Sequence, residues 1–161
     1  MAINVIDETV GTLFSAPDVD GARRWFAEKS RVLSNKVMTV REAVERFVPD
    51  GAYLASGGFG TVRIATAVLH EIVRQRRRNL GLAGHTTTHD FQILAAGQCF
   101  DRCDAAYVVG LEVRGLSPNA RRYMESGKVQ VTEWSNATLG WRFKAAAMGV
   151  PYLPARTLLG T

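Results

Sequence analysis

The sequence lacks the features that would assign its 161 residues to a membrane, secreted or disulfide-rich class. No run approaches the ~18 consecutive apolar residues that a transmembrane helix needs. The first ten residues, MAINVIDETV, include two acidic side chains and no basic one, so we expect no secretory signal peptide. Cys99 and Cys103 are the only cysteines, too few for a disulfide framework in a chain of this length. These absences predict a cytoplasmic protein without a membrane partner.

Internal repeats and low-complexity segments are also absent. Hydrophobic residues make up 47% of the chain, which predicts one globular domain with a substantial core. The net charge of +5 favours an anionic partner, such as nucleic acid, an acidic surface or a phosphorylated ligand, without choosing among them. The basic run Arg74–Arg78 contains no aromatic residue, so it indicates a solvated helix end or a phosphate contact rather than a nucleic-acid interface.

The amino-terminal part of the chain differs in pattern from the rest. Residues 1–35 are predicted to form a helical arm, with an amphipathic helix from Val19 to Leu33 that opens at Pro17-Asp18. Such an arm would pack on a partner or on the main body. From Lys36 to Thr161 the pattern becomes regular, and this part is predicted to form one α/β domain.

Helices and strands alternate in that second part. A capping box of Thr39 and Glu42 starts its first helix, and Pro49-Asp50-Gly51 ends it. Further helices are predicted over 63–77, 90–96, 117–127 and 136–148. Strands are predicted over 52–55, 80–83, 105–109, 129–132 and 152–158. The alternation predicts an α/β fold with a mostly parallel sheet and helices on both faces, which binds ligands at the carboxyl ends of its strands.

The segment SGGFGT, residues 56–61, follows the first predicted strand and precedes a helix. Glycines in this position let the backbone approach a ligand closely and direct N–H groups at negative charge. The segment is neither a Walker loop nor a GxGxxG fingerprint. A ligand-binding loop and a simple tight turn are equally consistent with it.

Other candidate functional residues lie at the ends of later predicted strands. His85 and His89 are four residues apart, a spacing that would place both on one face of a helix. The intervening threonines indicate a loop instead, and Asp90 is a candidate helix N-cap. Because no third ligand is evident, no metal site is predicted. Glu112 and Glu133 each follow a strand and are either site residues or helix caps. The two cysteines are predicted to be buried structural thiols.

Two stretches together resemble a known family. Residues 53–60, YLASGGFG, are similar to the glycine-rich loop of the alpha subunits of family I CoA-transferases. Residues 133–154, EWSNATLGWRFKAAAMGVPYLP, and the terminal Gly160-Thr161 are similar to a later segment of those subunits. The segment 36–39 also matches the family, and residues 116–127 resemble its glutaconate CoA-transferase-like branch. The resemblance covers roughly residues 36–161.

This resemblance implies a fold of the CoA-transferase (NagB/RpiA-like) type and a reaction. Family members move coenzyme A between carboxylic acids by ping-pong chemistry through a glutamyl-CoA thioester, with the acyl-CoA as substrate and no permanently bound cofactor or metal. A beta-type subunit is the implied partner, alongside the acyl-CoA and a carboxylic acid. The implied site residues are Gly57, Gly58 and Gly60 as backbone oxyanion donors, Phe59 against the pantetheine arm, and Thr61, Arg63, Glu112 and Asn136 as further substrate contacts.

The sequence departs from the family in two ways. The family's nucleophilic glutamate stands in a Glu-x-Gly context, and here only Glu125-Ser126-Gly127 has that spacing, at an expected helix C-cap. We therefore expect the nucleophile in the partner and not in this chain. The family's alpha subunits also continue beyond the Gly-Thr at which this sequence stops, so the domain is expected to be incomplete. Two alternatives stay open: a CoA-ester hydrolase or ring-opening subunit of steroid degradation, and a non-catalytic CoA-binding remnant.

Overall fold

The computed structural model of the chain describes residues 18–109, 117–157 and 159–160. These residues form a parallel sheet covered by helices, and none of the described helices is long and apolar enough to cross a membrane. The strands are β1 (Tyr53–Ser56), β2 (Leu80–Thr87), β3 (Phe100–Val108) and β4 (Gln130–Glu133). The helices are α1 (Val19–Glu28), α2 (Val40–Phe47), α3 (Thr66–Arg74), α4 (His89–Ala96), α5 (Pro118–Met124) and α6 (Asn136–Met148).

The four described strands lie in the order β1-β2-β3-β4, and every neighbouring pair is parallel. Their carboxyl ends therefore meet at one edge of the sheet. The register places Ser56, Gly84, Ala105 and Glu133 in one row near that edge. The segments that follow β1 and β2 are neighbours there, which brings the glycine-rich loop against the start of α4.

Helices cover both faces of the sheet, as predicted. Helices α2, α3, α4 and α5 pack side by side in one layer, while α6 contacts β2 and β3 from the opposite face. The alternation along β3 matches this division, because Cys103 and Ala105 are buried in the core and Asp104 between them reaches Arg142 of α6. The main core lies under the larger helical layer, where Phe91 packs on Phe100 with ring centroids 5.7 Å apart.

Local signals placed several elements correctly. The Thr39 side chain accepts a hydrogen bond from the Glu42 N–H, and the Glu42 carboxylate accepts one from the Thr39 N–H, which forms the predicted capping box of α2. Helix α6 begins and ends at the predicted residues. It stops because Gly149 adopts a left-handed conformation, with φ of 67°.

Strand β2 is longer than predicted. It continues through the predicted loop around His85 to Thr87, because β3 runs beside it as far as Val108. Strand β3 also begins earlier than predicted, at Phe100, which lies beside Leu80. The register pairs Thr86 with Tyr107 and Thr87 with Val108. A run of threonines is compatible with a strand once a neighbouring strand can pair with it.

The predicted final strand over 152–158 is wrong for the residues that the structure describes. Residues 152–157 form no strand. Pro151 and Pro154 lack backbone N–H donors, so this segment is poorly suited to a ladder of hydrogen bonds.

Several helices are shorter than predicted. Helix α3 starts only at Thr66, because Arg63 adopts a positive φ of 61° that a helix cannot contain. In the arm, α1 ends at Glu28 rather than Leu33. The Trp25 and Phe26 rings of α1 remain exposed, and the Lys29 ammonium lies 5.0 and 4.9 Å from their centroids.

Candidate functional site

The glycine-rich loop lies at the carboxyl end of β1, at the edge where parallel sheets bind ligands. Phe59 and Val62 form an antiparallel bridge: the Phe59 N–H donates to the Val62 carbonyl at 3.0 Å, and the Val62 N–H donates to the Phe59 carbonyl at 2.9 Å. Gly60 and Thr61 form the two-residue turn between them, and Gly60 has a positive φ of 59°. The loop is therefore a small hairpin with a defined backbone.

Gly58 is required where the strand turns into this hairpin. Its φ is 123°, a conformation that residues with a side chain rarely adopt. A Cβ atom at Gly58 would lie 3.0 Å from both Ile64 Cγ1 and the Val62 carbonyl oxygen. Gly57 is different, since a Cβ atom there would meet nothing within 4 Å.

The loop's N–H groups are not equally available to a ligand. The Phe59 N–H is used within the hairpin, and the Gly60 N–H donates to the Thr86 carbonyl at 3.3 Å. Within residues 18–109, 117–157 and 159–160, no acceptor is bonded to the N–H groups of Gly57 and Gly58. Of the three glycines nominated from the sequence, these two hold N–H donors that no residue described by the structure engages.

The hairpin also presents an apolar surface. Phe59 and Val62 are 62% and 55% exposed. Facing residues of an antiparallel pair project to the same side of the ribbon, so the two side chains lie together. Sequence patterns did not nominate Val62, because its pairing with Phe59 depends on the turn at Gly60.

The remaining nominated residues are distributed unevenly. Thr61 and Arg63 are exposed on or beside the hairpin. Asn136 is the exposed first residue of α6, which follows β4. Strand β4 lies three strand spacings, roughly 14 Å, from β1. Glu112 lies outside the described residues.

The segment between β2 and α4 adjoins the loop. Asp90 does not occupy the predicted N-cap position, which belongs to Thr88; it is the second residue of α4, and its Oδ1 accepts the Thr88 N–H at 2.8 Å. His85 lies on β2 and His89 is the first residue of α4. In the part of the chain that the structure describes, no three side chains of histidine, cysteine, aspartate or glutamate are grouped closely enough to hold a metal ion.

A second concave feature lies at the same edge, between α5 and the ends of β3 and β4. It is an open cavity of about 480 Å³, lined by Val108, Ser117, Arg121, Met124, Glu125, Val131 and Glu133. Arg121 donates to Glu125 at 2.9 Å, and Glu125 is the C-cap of α5, as predicted. With Arg121 paired to Glu125, the described lining has no unpaired cation for a carboxylate substrate.

The basic run at the end of α3 has structural partners. Arg74 pairs with the buried Glu71. Arg77 donates to the Glu45 carbonyl at 3.4 Å, and Arg78 donates to the Gly97 carbonyl at 2.6 Å. These bonds connect the helices at the amino edge of the sheet, so the run is better explained by packing than by a phosphate contact.

Both cysteines are buried, as predicted. Burial, and to a smaller extent the nearby Asp104 carboxylate, raise the pKa of the Cys103 thiol to about 12. Burial also raises the pKa of Cys99. Because the thiolate is the nucleophilic form, neither cysteine is suited to covalent catalysis at neutral pH.

The raised Cys103 pKa predicts a loss of stability in alkali. A folded-state pKa above the unfolded value stabilises the fold fully below the unfolded pKa, and this contribution is lost as the pH rises through the folded pKa. For Cys103 that window runs from about pH 9 to about pH 12. We expect ionisation of Cys103 to lower the unfolding free energy of the wild type by on the order of 2 kcal/mol between pH 9 and 11. Cys103→Ala should lack this decrease. Urea titrations under reducing conditions would measure it, and equal pH slopes in both proteins would contradict it.

Comparisons with known proteins agree with this architecture. The family model for coenzyme A transferase matches residues 37–161. An uncharacterized protein of Archaeoglobus fulgidus is 50% identical over 161 residues, which is 99% of this chain and 36% of the relative. The A subunit of glutaconate CoA-transferase from Acidaminococcus fermentans is 30% identical over 127 residues, 79% of this chain and 40% of that relative.

Solved structures share the fold. The crystal structure of the Acidaminococcus fermentans glutaconate coenzyme A-transferase superposes with a TM-score of 0.73 over 79% of this chain. A variant of the decarboxylase AibA/AibB superposes with a TM-score of 0.68 at 35% identity, over 73% of this chain and 45% of that one. This chain thus spans 36% to 45% of the length of these relatives. The family model, the sequence relatives and the shared parallel sheet agree, and the chain belongs to the coenzyme A transferase family.

Proposed function

We propose that the chain is the alpha-type part of a CoA-transferase that moves coenzyme A between carboxylic acids. A beta-type partner supplies the nucleophilic glutamate, and the coenzyme A thioester is a substrate rather than a resident cofactor. The observation that carries the proposal is the pair of open N–H donors at Gly57 and Gly58, on a hairpin with a defined backbone at the ligand-binding edge.

The donors fit the chemistry of acyl transfer. The partner's glutamate attacks the thioester carbonyl of the acyl-CoA, and the tetrahedral intermediate expels the CoA thiolate, which leaves an acyl-glutamyl anhydride. The thiolate then attacks the glutamyl carbonyl of this anhydride, releasing the first carboxylate and leaving a glutamyl-CoA thioester. Each addition places negative charge on a carbonyl oxygen, which preorganised N–H groups stabilise. Gly57 and Gly58 are our candidates for these donors.

The rest of the hairpin suits the non-reacting parts of the substrate. Phe59 and Val62 offer an apolar surface to the pantetheine arm, and Thr61 offers a hydroxyl at the turn. The Arg63 guanidinium, which is exposed beside the turn, provides positive charge for the anionic end of coenzyme A. Asn136 and Glu112 remain candidate substrate contacts on the later loops of the same domain.

The placement of the glutamates favours a nucleophile from the partner. Among the described residues, no glutamate lies in the segments that follow β1 or β2. Glu42 is used in the capping box of α2, Glu71 is buried against Arg74 and Gln75, and Glu125 pairs with Arg121. Each of these three carboxylates already has a structural role, and Glu133, which ends β4 at the same edge, lies three strands away from β1 and the hairpin.

Trapping the covalent intermediate tests this division of labour. The complex of this chain with its beta-type partner is incubated with an acyl-CoA and then treated with borohydride or hydroxylamine. We expect the modified glutamate in the partner, and no adduct when the purified chain is treated alone. A reduced side chain or a hydroxamate mapped by mass spectrometry to a glutamate of this chain would contradict the proposal.

A second candidate function keeps the fold and changes the fate of the CoA ester. The 35% identical decarboxylase AibA/AibB has this fold, so the architecture also supports chemistry without an acceptor acid. In that case the complex would release carbon dioxide, or free CoA by hydrolysis or ring opening, when no acceptor carboxylate is added. Product formation that requires an acceptor acid would favour the transferase. Binding of CoA without turnover in the complete complex would favour a non-catalytic remnant.

A further inference from the structure

Gly60, at the tip of the hairpin, is held through both of its backbone polar groups. Its N–H donates to the Thr86 carbonyl at 3.3 Å, and its carbonyl accepts a hydrogen bond from the Thr88 hydroxyl. Both partners belong to the junction of β2 and α4, so one short segment fixes the turn from two sides. The Thr88 bond is the only one of the two made by a side chain, and so it can be removed by substitution.

Thr88 makes this bond at the expense of an interaction expected at its own position. It occupies the N-cap of α4, where a threonine hydroxyl ordinarily accepts a hydrogen bond from the first turn of the helix. Here no side-chain cap is formed, and the hydroxyl is directed to Gly60, 28 residues earlier in the chain. Nδ1 of His89 lies 3.3 Å from the same oxygen.

Thr88 itself is rigidly placed. It is 2% exposed, and its N–H donates at 2.8 Å to Oδ1 of Asp90, which is also buried. A buried carboxylate thus fixes the Thr88 backbone, and Thr88 fixes the turn at Gly60. These hydrogen bonds connect the core of the domain to the surface hairpin.

We propose that Thr88 is a positioning residue that holds the glycine-rich hairpin in the orientation its N–H donors require. The proposal rests on the function proposed above for Gly57 and Gly58. The Phe59–Val62 bridge makes the hairpin a single unit, so anchoring Gly60 also restricts the peptide groups that lead into it. Oxyanion stabilisation depends on donors oriented before the reaction; a hairpin released from Thr88 would have to be reoriented in every catalytic cycle.

Thr87 supplies a matched control. It is equally buried at 2% exposure, and its hydroxyl donates to the Tyr107 carbonyl at 3.1 Å. Thr87→Val and Thr88→Val each replace a buried threonine by an isosteric side chain, and each removes one hydroxyl bond to a backbone carbonyl. Only the Thr88 bond leads to the hairpin. A general loss of stability is therefore common to both variants.

The test compares wild type, Thr88→Val, Thr88→Ser and Thr87→Val by amide hydrogen exchange of the chain and by steady-state kinetics of its complex with the partner. For Thr88→Val we expect about tenfold faster exchange at Phe59, Gly60 and Val62, in line with the loss of one hydrogen bond. We also expect a comparable fall in kcat with little change in KM. Thr88→Ser, which keeps the hydroxyl, should behave like wild type, and Thr87→Val should change neither the exchange of the hairpin nor kcat.

Equal exchange rates in the hairpins of Thr88→Val and Thr87→Val would overturn the positioning role. Faster exchange in Thr88→Val with unchanged kcat would also overturn it, because the hairpin would then be anchored without consequence for catalysis. A wild-type complex that turns over no CoA ester would instead refute the proposed function.

Discussion

Gly58→Ala is expected to lower kcat of the assembled enzyme by about 10²–10³, the usual cost of losing one oxyanion donor. Gly58 has a φ of 123°, and a Cβ atom there would lie 3.0 Å from Ile64 Cγ1 and from the Val62 carbonyl oxygen. An alanine must therefore leave this conformation, which rotates the adjoining peptide and turns its N–H away from the substrate. The ground-state contacts that we propose between the pantetheine arm and Phe59 and Val62 should be less affected, so KM should change much less than kcat.

Gly127→Ala is the matched control for backbone strain. Gly127 also has a positive φ, 75°, but it follows α5 and is surrounded by open space. Both variants should lower the unfolding free energy by about 1–2 kcal/mol. Gly127→Ala holds a residue with a side chain at a positive φ, and Gly58→Ala shifts the backbone away from one. Only Gly58→Ala should lower kcat per folded complex. If Gly58→Ala is destabilised but turns over at the wild-type rate, the loop is a tight turn and has no part in catalysis.

Phe59→Ala separates the roles within the hairpin. It removes the apolar contact that we propose with the pantetheine arm. Such a contact contributes equally in the ground state and in the transition state, so its loss should raise KM with little effect on kcat. This contrast is the reason for measuring both constants in every variant of the hairpin.

The features predicted well from the sequence depend on residues that are close together in the chain. The capping box of Thr39 and Glu42 and the stop at Gly149 are complete within four residues or fewer, so their patterns are legible without tertiary information. The alternation of strands and helices likewise determined the parallel sheet, because parallel strands need crossover connections.

The features that could not be predicted depend on pairing across the chain. The length of β2 is set by β3, since Thr86 and Thr87 extend the strand only by pairing with Tyr107 and Val108. The turn at Gly60 is anchored by a hydroxyl 28 residues later. Local patterns assigned that same segment to a loop with Asp90 as its cap, because no short-range signal reports which carbonyl Thr88 reaches.

The candidate site also has features that local sequence signals predict and features that depend on distant residues. The glycine-rich segment could be located from the sequence, because glycines between a strand and a helix are a local signal. Which of its N–H groups stay open could not be predicted, because the Phe59 and Gly60 donors are engaged only after the hairpin closes and β2 arrives beside it. Val62 was missed for the same reason.

A second large effect is expected at Asp104, on the face of the sheet that α6 covers. Its carboxylate, 14% exposed, accepts hydrogen bonds from the Tyr53 hydroxyl, from Trp134 Nε1 at 2.7 Å and from the Arg142 guanidinium. The Tyr53 ring reaches it by crossing β2 at Gly81, where a Cβ atom would lie 2.3 Å from the ring. The guanidinium of Arg142 also lies 4.5 Å from the Trp134 ring centroid. One carboxylate on β3 thus joins β1, the connection between β4 and α6, and the middle of α6.

Asp104→Ala is therefore expected to lower the unfolding free energy by about 1–3 kcal/mol, because it leaves three donors without an acceptor that is itself 14% exposed. The parts of this cost that come from Arg142 and Tyr53 are discounted, since the two residues are 43% and 49% exposed. Asp104→Asn keeps an acceptor for Trp134 and loses the charge, so it should cost roughly half as much.

Asp101→Ala is the control. Asp101 lies on the same strand and pairs with Arg102, but both side chains are nearly half exposed. We therefore expect this variant to lower the unfolding free energy by no more than about 0.5 kcal/mol. Urea unfolding measures the unfolding free energy of all three variants. Proteolysis within α6 should also be faster in Asp104→Ala, because the buried side chains of Leu139 and Ala145 are then the main contacts that hold the helix to the sheet. Equal losses for Asp104→Ala and Asp101→Ala would show that α6 is held to the sheet by those apolar contacts alone.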